Sequence, residues 1–308
     1  MTDTPSSVAE ATGTGSPVSV ASARSRFRPW RWIGGFLLLA VVGRIVWFMV
    51  ENPRFEWDVV WEYLFYPTIL RGLGMSVTLT AIAMTLGSIL GVLLGAGQLG
   101  DFAPVRWACR VYVGFFRGIP PLVQLIFWFN LAYLLPRVTV GVPLGPTLLD
   151  YSTNDLITPF TAAILGLSLH EGAYMAEIVR AGILGVESGQ TDAARAMGFT
   201  GRQTFFKIVL PQAMRVIIPP TGSQFISLLK GTSLVSVIAM ADLLRSVQLI
   251  YNQTYEVVPL LIVACIWYLV VVSILSLGQQ RLERHFGRGH IAPAKSVWRP
   301  RFTRWRSA

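Results

Sequence analysis

Two groups of residues in this sequence are of a type and spacing that could do chemistry. The first is His170-Glu171, followed by Tyr174, Glu177 and Arg180, in a stretch that is otherwise apolar from Ile157 onward. Ionisable side chains inside an apolar span are costly and mark functional positions when they occur. A carboxylate such as Glu171 can meet an ammonium group, and His170 or Tyr174 can donate to a carboxylate. The set suits a small zwitterion, and it equally suits a buried polar pair bridging two helices. Glu177 and Arg180 lie nearer the end of the stretch and suit anchoring of the loop that follows. Lys230 stands at the end of another apolar stretch, as an interfacial anchor or gate. The second group is the polar segment 185–211, with Gly189-Gln190-Thr191-Asp192-Ala193-Ala194, Met197-Gly198 and Ile208-Val209-Leu210-Pro211. Residues 190–197 are good helix formers, and Gly198 supplies a turn that needs positive φ. A second helix is expected over 200–208, with Pro211 separating it from the next span. A helix-turn-helix with small residues exposed could serve as a docking knob for another protein, or be an ordinary structured loop.

The elements that position these groups are apolar. The 308-residue chain is 53% hydrophobic and 14% charged, against about 25% charged in soluble proteins, and its net charge is +10. Six uncharged or nearly uncharged segments are expected to cross a membrane: Trp32–Val50, Gly72–Gly100, 118–136, Ile157–Arg180, Ala213–Leu229 and Val257–Gln280. Residues 51–71, with Trp57, Trp61, Tyr63 and Tyr66, read as an interfacial segment. In the second span, Ala83, Gly87, Gly91 and Gly95 recur every four residues, so another helix can approach that face closely. Residues 136–156, with Asp150 and Asp155, read as a loop. A signal peptide is the rival reading of the first span, but no small-residue cleavage site follows Val50.

Charge orients the bundle. With both termini inside, twenty of the 26 lysines and arginines fall on the inner side. They are Arg24, Arg26, Arg28 and Arg31; Arg106, Arg110 and Arg117; Arg180, Arg195, Arg202, Lys207 and Arg215; and eight in the tail from Arg281 to Arg306. The positive-inside rule rejects the reverse orientation. The basic excess is therefore a topology signal and calls for no nucleic acid. Cys109 and Cys265 form no disulfide framework or metal-ligand spacing. His170-Glu171 lacks the second histidine of a metalloprotease helix, and there is no Gly-x-Ser-x-Gly elbow. With no Gly-Lys dipeptide, the chain has no phosphate-binding loop of its own.

The segment 185–211 resembles the cytoplasmic loop of permease subunits of bacterial ABC importers for polar amino acids. That family carries Glu-Ala-Ala, three residues, Gly, nine residues, then Ile-x-Leu-Pro. Here Asp192-Ala193-Ala194, Gly198, Ile208, Leu210 and Pro211 stand at that spacing. Flanking matches are Gly172 to Arg180, Leu210-Pro211-Gln212-Ala213, Leu228-Leu229-Lys230, Phe116-Arg117-Gly118 and Pro121-Leu122-Val123-Gln124. Departures are Asp192 for Glu, Gly231 for Asp, Ser223 for Asn and Pro120 for a small polar residue. The resemblance covers roughly Leu73 to Glu283.

It implies an all-α polytopic bundle with the type I ABC importer transmembrane fold, about six helices and cytoplasmic termini. The resemblance implies a permease domain at 72–283 with an added helix at 32–50 before it, while composition and charge give a disordered basic arm at 1–31, an external interfacial segment at 51–71 and a basic tail at 284–308. Gln190, Asp192, Ala193, Ala194, Met197, Gly198, Ile208, Leu210 and Pro211 would couple it to the ATPase. His170, Glu171 and Tyr174 would line the substrate path, with Glu177, Arg180 and Lys230 at helix ends or gates. The chain would hold no metal or cofactor, with ATP and Mg on the ATPase. Its partners would be two ATP-binding subunits, a second permease, an extracytoplasmic amino-acid-binding protein, a polar amino acid and membrane lipid. The chain would sit in the bacterial inner membrane and perform no catalysis. An ion-gradient-driven secondary transporter using Glu171 or Glu177 is the alternative.

Overall fold

The computed structural model describes residues 29–141 and 147–286. The expected arm at 1–31 and tail at 284–308 lie outside the described residues except at their inner edges. The described residues fall into two compact units, divided between Phe55 and Glu56.

In the first unit, α1 runs from Pro29 to Glu51. It stops one residue before Asn52-Pro53, because proline disfavours helical backbone in the residue before it. A 3-10 turn, Pro53–Phe55, follows.

The second unit begins with α2, Trp57–Leu64, and α3, Pro67–Leu99. Then come α4, Ala103–Gly118, α5, Pro121–Phe129, and the single turn α6, Leu131–Leu134. Strands β1, Arg137–Gly141, and β2, Thr147–Ser152, form an antiparallel hairpin with Arg137 opposite Ser152. A turn, α7, Thr153–Leu156, leads into α8, Pro159–Leu184. Next are α9, Ser188–Ala196, and α10, Gly201–Thr204. A π turn at Phe205–Val209 runs straight into α11, Leu210–Gly231. A 3-10 stretch, Thr232–Ile238, then α12, Leu243–Thr254, and α13, Val257–Phe286, complete the unit. Helices α3, α5 and α8 each open on a proline, whose missing N–H costs least in a first turn.

Sequence reasoning needs correction at four places. The span expected at 118–136 is not one helix: α5 ends at Phe129, only the turn α6 follows it, and α5 leaves α4 at a 100° bend around Pro120-Pro121. The loop expected after it contains the β1–β2 hairpin, where Val138, Thr139 and Val140 are β-branched and favour strand, so the fold is mostly rather than wholly helical. On that hairpin Arg137 donates to both carboxylate oxygens of Asp150, at 2.9 and 2.6 Å. The hydrogen bonds hold the Asp150 carboxyl below the usual carboxylate range. The second helix of the 185–211 segment covers 201–209 but is not regular throughout, since after one α turn it widens into the π turn. Finally, Pro211 does not separate that segment from the next span. The Leu210 N–H bonds back five residues to the Phe205 carbonyl, and this wide turn lets the helix pass the proline unbroken.

Among the described residues three helices, α1, α3 and α13, are long and apolar enough to cross a membrane. The number is up to five if α4–α5 and the bent pair Gly201–Ile238 with α12 each count as one span. The other expected crossing is α8, 26 residues long, or about 39 Å. It carries Glu171, Glu177 and Arg180.

The stripe of small residues on α3 packs against α8. A Cβ on Gly87 would stand 2.8 Å from Glu171 Cβ, and one on Gly95 would stand 3.0 Å from the Ala176 carbonyl oxygen. Gly91 lies against Met175 and Ala176. Contacts rise together in number along both helices, so α3 and α8 are parallel. Contacts between α8 and α11 run the other way, from Gly182 on Ile217 to Glu171 on Gln224. These two helices are antiparallel, with α9 and α10 bridging them at one end. The end of α3 lies at that same end. The core between them contains Leu79, Ala83, Met84, Leu125, Leu167, Met175, Leu228 and Val235. At the opposite end, Asp242 caps α12 by accepting from Leu244 and Arg245 N–H at 3.2 and 2.8 Å. Ser76 on α3 accepts from Leu243 N–H at 3.1 Å.

Candidate functional site: the bridging segment and the polar recess

The segment bridging α8 and α11 is built by local rules. Gly198 has φ +82°. The Gly198 N–H bonds to Arg195 O at 2.9 Å and the Phe199 N–H to Ala194 O at 3.1 Å. That pair closes a helix through a left-handed residue, a conformation glycine adopts without penalty. Thr200 then starts α10 with a reciprocal cap: Gln203 N–H donates to Thr200 Oγ1 and Thr200 N–H to Gln203 Oε1. Ala194 and Val209 are buried beneath the segment. Gln190, Asp192, Ala193, Met197, Gly198 and Pro211 are exposed, while Ile208 and Leu210 are half-buried. Met197 is 67% exposed. Asp192 and Arg195 stand 4.0 Å apart and both are exposed. The expected coupling residues lie along the segment between α8 and α11, two helices that Gly182, Ala213 and Ile217 pack tightly together.

The second site is a cavity of about 110 Å³ between α5, α8, α11 and the 3-10 stretch. Its polar lining comes from His170, Glu171, Gln224 and Ser227. Glu171 is 1% exposed. Its Oε2 accepts from Gln224 Nε2 at 3.2 Å, and its Oε1 is buried without a hydrogen-bond partner among the described residues. Burying a carboxyl with an unpaired oxygen is expensive, so the site is poised for a donor. The close approach of Gly87 pins the base of the Glu171 side chain.

Tyr174 does not line this cavity. It lies one turn along α8, its ring 4.9 Å from that of His170. The Arg117 guanidinium sits over the tyrosine ring at 5.1 Å. One turn further, Arg180 donates to Glu177 from both Nε and Nη2, and both are half-buried. His170, Tyr174 and Glu177 therefore make one stripe leading from the cavity toward the bridging segment. Lys230 is exposed in the last turn of α11, at the opposite end from that segment. Sequence reasoning placed Arg117 in a loop and assigned no site role to Gln124 or Gln224. The available signal was a lone amide in α5 and a glutamine in the middle of α11, together with the arginine one turn before Pro120-Pro121.

A bundle with a closely packed parallel pair, a buried polar recess and an exposed bridging segment defines a membrane transport component that works with other proteins. Residues 83–288 match the family described as binding-protein-dependent transport system inner membrane component. The chain belongs to that family; it is a multi-pass inner-membrane permease of an ABC transporter, and its ATPase is a separate subunit. The chain is similar to the arginine transport system permease protein ArgU of Corynebacterium glutamicum, 38% identical over 264 residues, covering 85% of this chain and 81% of ArgU. It is also similar to the L-cystine transport system permease protein TcyB of Bacillus subtilis, 36% identical over 233 residues and covering 75% and 92%. Among solved structures, one chain of an amino acid ABC transporter with histidines is 32% identical, with TM-score 0.62, covering 72% of this chain and 95% of that one.

Proposed function

We propose that this permease moves a polar amino acid inward by alternating access, driven by two ATPase subunits that dock on residues 185–211. The reading is carried by the bridging segment, which presents Ala193, Met197 and Gly198 on a surface fixed to α8 and α11. Closure of the ATPases pushes on that surface, and the Gly182–Ile217 joint passes the movement into both helices. ATP and Mg bind on those subunits, and the permease itself supplies none of the hydrolytic chemistry. A second permease completes the path, and an extracytoplasmic binding protein delivers the amino acid at the hairpin end. Basic residues crowd the end of the bridging segment, among them Arg106, Arg110, Arg195, Arg202, Lys207, Arg281 and Arg284. That bias supports a cytoplasmic position for this end. The permease domain is residues 72–283, with the helix at 32–50 an addition before it.

Within the bundle, the unpaired Glu171 oxygen takes the substrate ammonium group, and His170 donates to its carboxylate. Tyr174 lies next along the route, and Glu177 with Arg180 closes its inner end. The arginine and cystine permeases among the relatives, together with glutamate/aspartate and glutamine permeases of Escherichia coli, define the substrate panel. The complex of this permease with its ATPase and binding protein should hydrolyse ATP several-fold faster with one of arginine, cystine, glutamate or glutamine than with none. A rate that no polar amino acid raises would contradict the substrate class.

A further inference from the structure

Pro120 and Pro121 leave gaps in the hydrogen bonding at the end of α4. In a continuing helix the Phe116 carbonyl would accept from the N–H of residue 120, four places on. Proline has no N–H. The chain bends by 100° here, so no other turn of helix supplies the missing donor. Gln124 does so instead. Its Nε2 stands 2.9 Å from Phe116 O and 2.8 Å from Ile119 O. The side chain is only 4% exposed.

The same nitrogen lies 3.2 Å from His170 Nδ1 on α8. Gln124 therefore joins the α4–α5 corner to the imidazole that lines the cavity. The amide orientation follows from the acceptors, since turning it over would set its oxygen against two carbonyl oxygens. With its Nδ1 unprotonated, the imidazole accepts a shared hydrogen from the Gln124 amide.

We propose that Gln124 is a positioning residue for substrate passage: by supplying the donor that Pro120 cannot offer to the Phe116 carbonyl and touching His170 with the same amide, it fixes where the imidazole stands in the recess. The inference rests on the reading that His170 meets the substrate carboxylate. A residue that merely closed a helix end would affect stability independently of His170.

The test is a double-mutant cycle on the purified permease–ATPase complex, with the binding protein left out so that only the permease site is read. The probe is whichever of arginine, cystine, glutamate and glutamine stimulates the wild-type complex most, in radiolabelled form. Gln124→Leu and His170→Ala should each weaken equilibrium binding about tenfold. The double variant should be no weaker than His170→Ala alone, because residues acting through one contact are not additive. Gln124→Met, nearer in shape, is read in the same way if the leucine variant does not assemble. Additive losses, about a hundredfold in the double variant, would overturn the positioning role while leaving His170 in the site. Unchanged binding in His170→Ala would overturn the His170 reading and the inference with it.

Discussion

In Gly198→Val, ATP hydrolysis is expected to lose its dependence on substrate and uptake to fall to background, while the permease still inserts and assembles. The reason is local. Gly198 sits at φ +82° with nothing within 4 Å of a Cβ built on it, so space is not the obstacle. Backbone conformation is. A β-branched residue in the left-handed region is strained by about 1–3 kcal/mol, comparable to the hydrogen-bonded turn that holds α9. That turn lets α9 end and lets Thr200 start α10, so its loss unhooks Met197 and Ala193 from their fixed positions. The membrane-embedded contacts between α3, α8 and α11 are untouched, which is why insertion survives. Substrate-stimulated hydrolysis and uptake measured side by side in proteoliposomes provide the check. Stimulated ATPase activity surviving at the wild-type level in Gly198→Val would refute the coupling role.

Glu171→Gln is expected to weaken substrate binding by roughly tenfold to a hundredfold, with little change in assembly. The amide keeps the volume of the side chain and its contact with Gln224, so the packing against Gly87 persists. What it removes is the charge offered to an ammonium group. A hydrogen bond to a charged partner contributes about 1.5–3 kcal/mol, and that sets the range. Equilibrium binding to the complex measures it. Uptake with unchanged affinity would take Glu171 out of the path and leave it as a bridge between α8 and α11.

Much of this was legible in the residues, and the reasons for the remainder are physical. The glycine-turn geometry at 198 followed from a good helix former run ending in Met197-Gly198, because one residue's φ decides it. The α3–α8 contact followed from Ala83, Gly87, Gly91 and Gly95, because close approach requires a small face. The corner at Pro120-Pro121 was harder. Hydropathy over 118–136 is uniform, and only the count of missing donors at 116 and 117 betrays the break. The π turn before Pro211 was hidden for a related reason: a proline reads as a stop unless a five-residue closure is available to absorb it. Gln124 and Gln224 become interpretable only once α5, α8 and α11 are known to converge, since their partners lie 46 and 53 residues away. The β1–β2 hairpin carried its own signal in three successive β-branched residues, masked by the glycines and prolines beside them.

The central claim is that ATP hydrolysis on a docked subunit drives inward movement through this chain. The most direct measurement is uptake of the stimulating amino acid into proteoliposomes holding the full complex, with proton and sodium gradients collapsed. Uptake should require ATP on the side of the bridging segment and stop when the ATPase subunit is omitted. Uptake that proceeds without ATP and follows an imposed ion gradient would contradict the account and make this chain a secondary transporter.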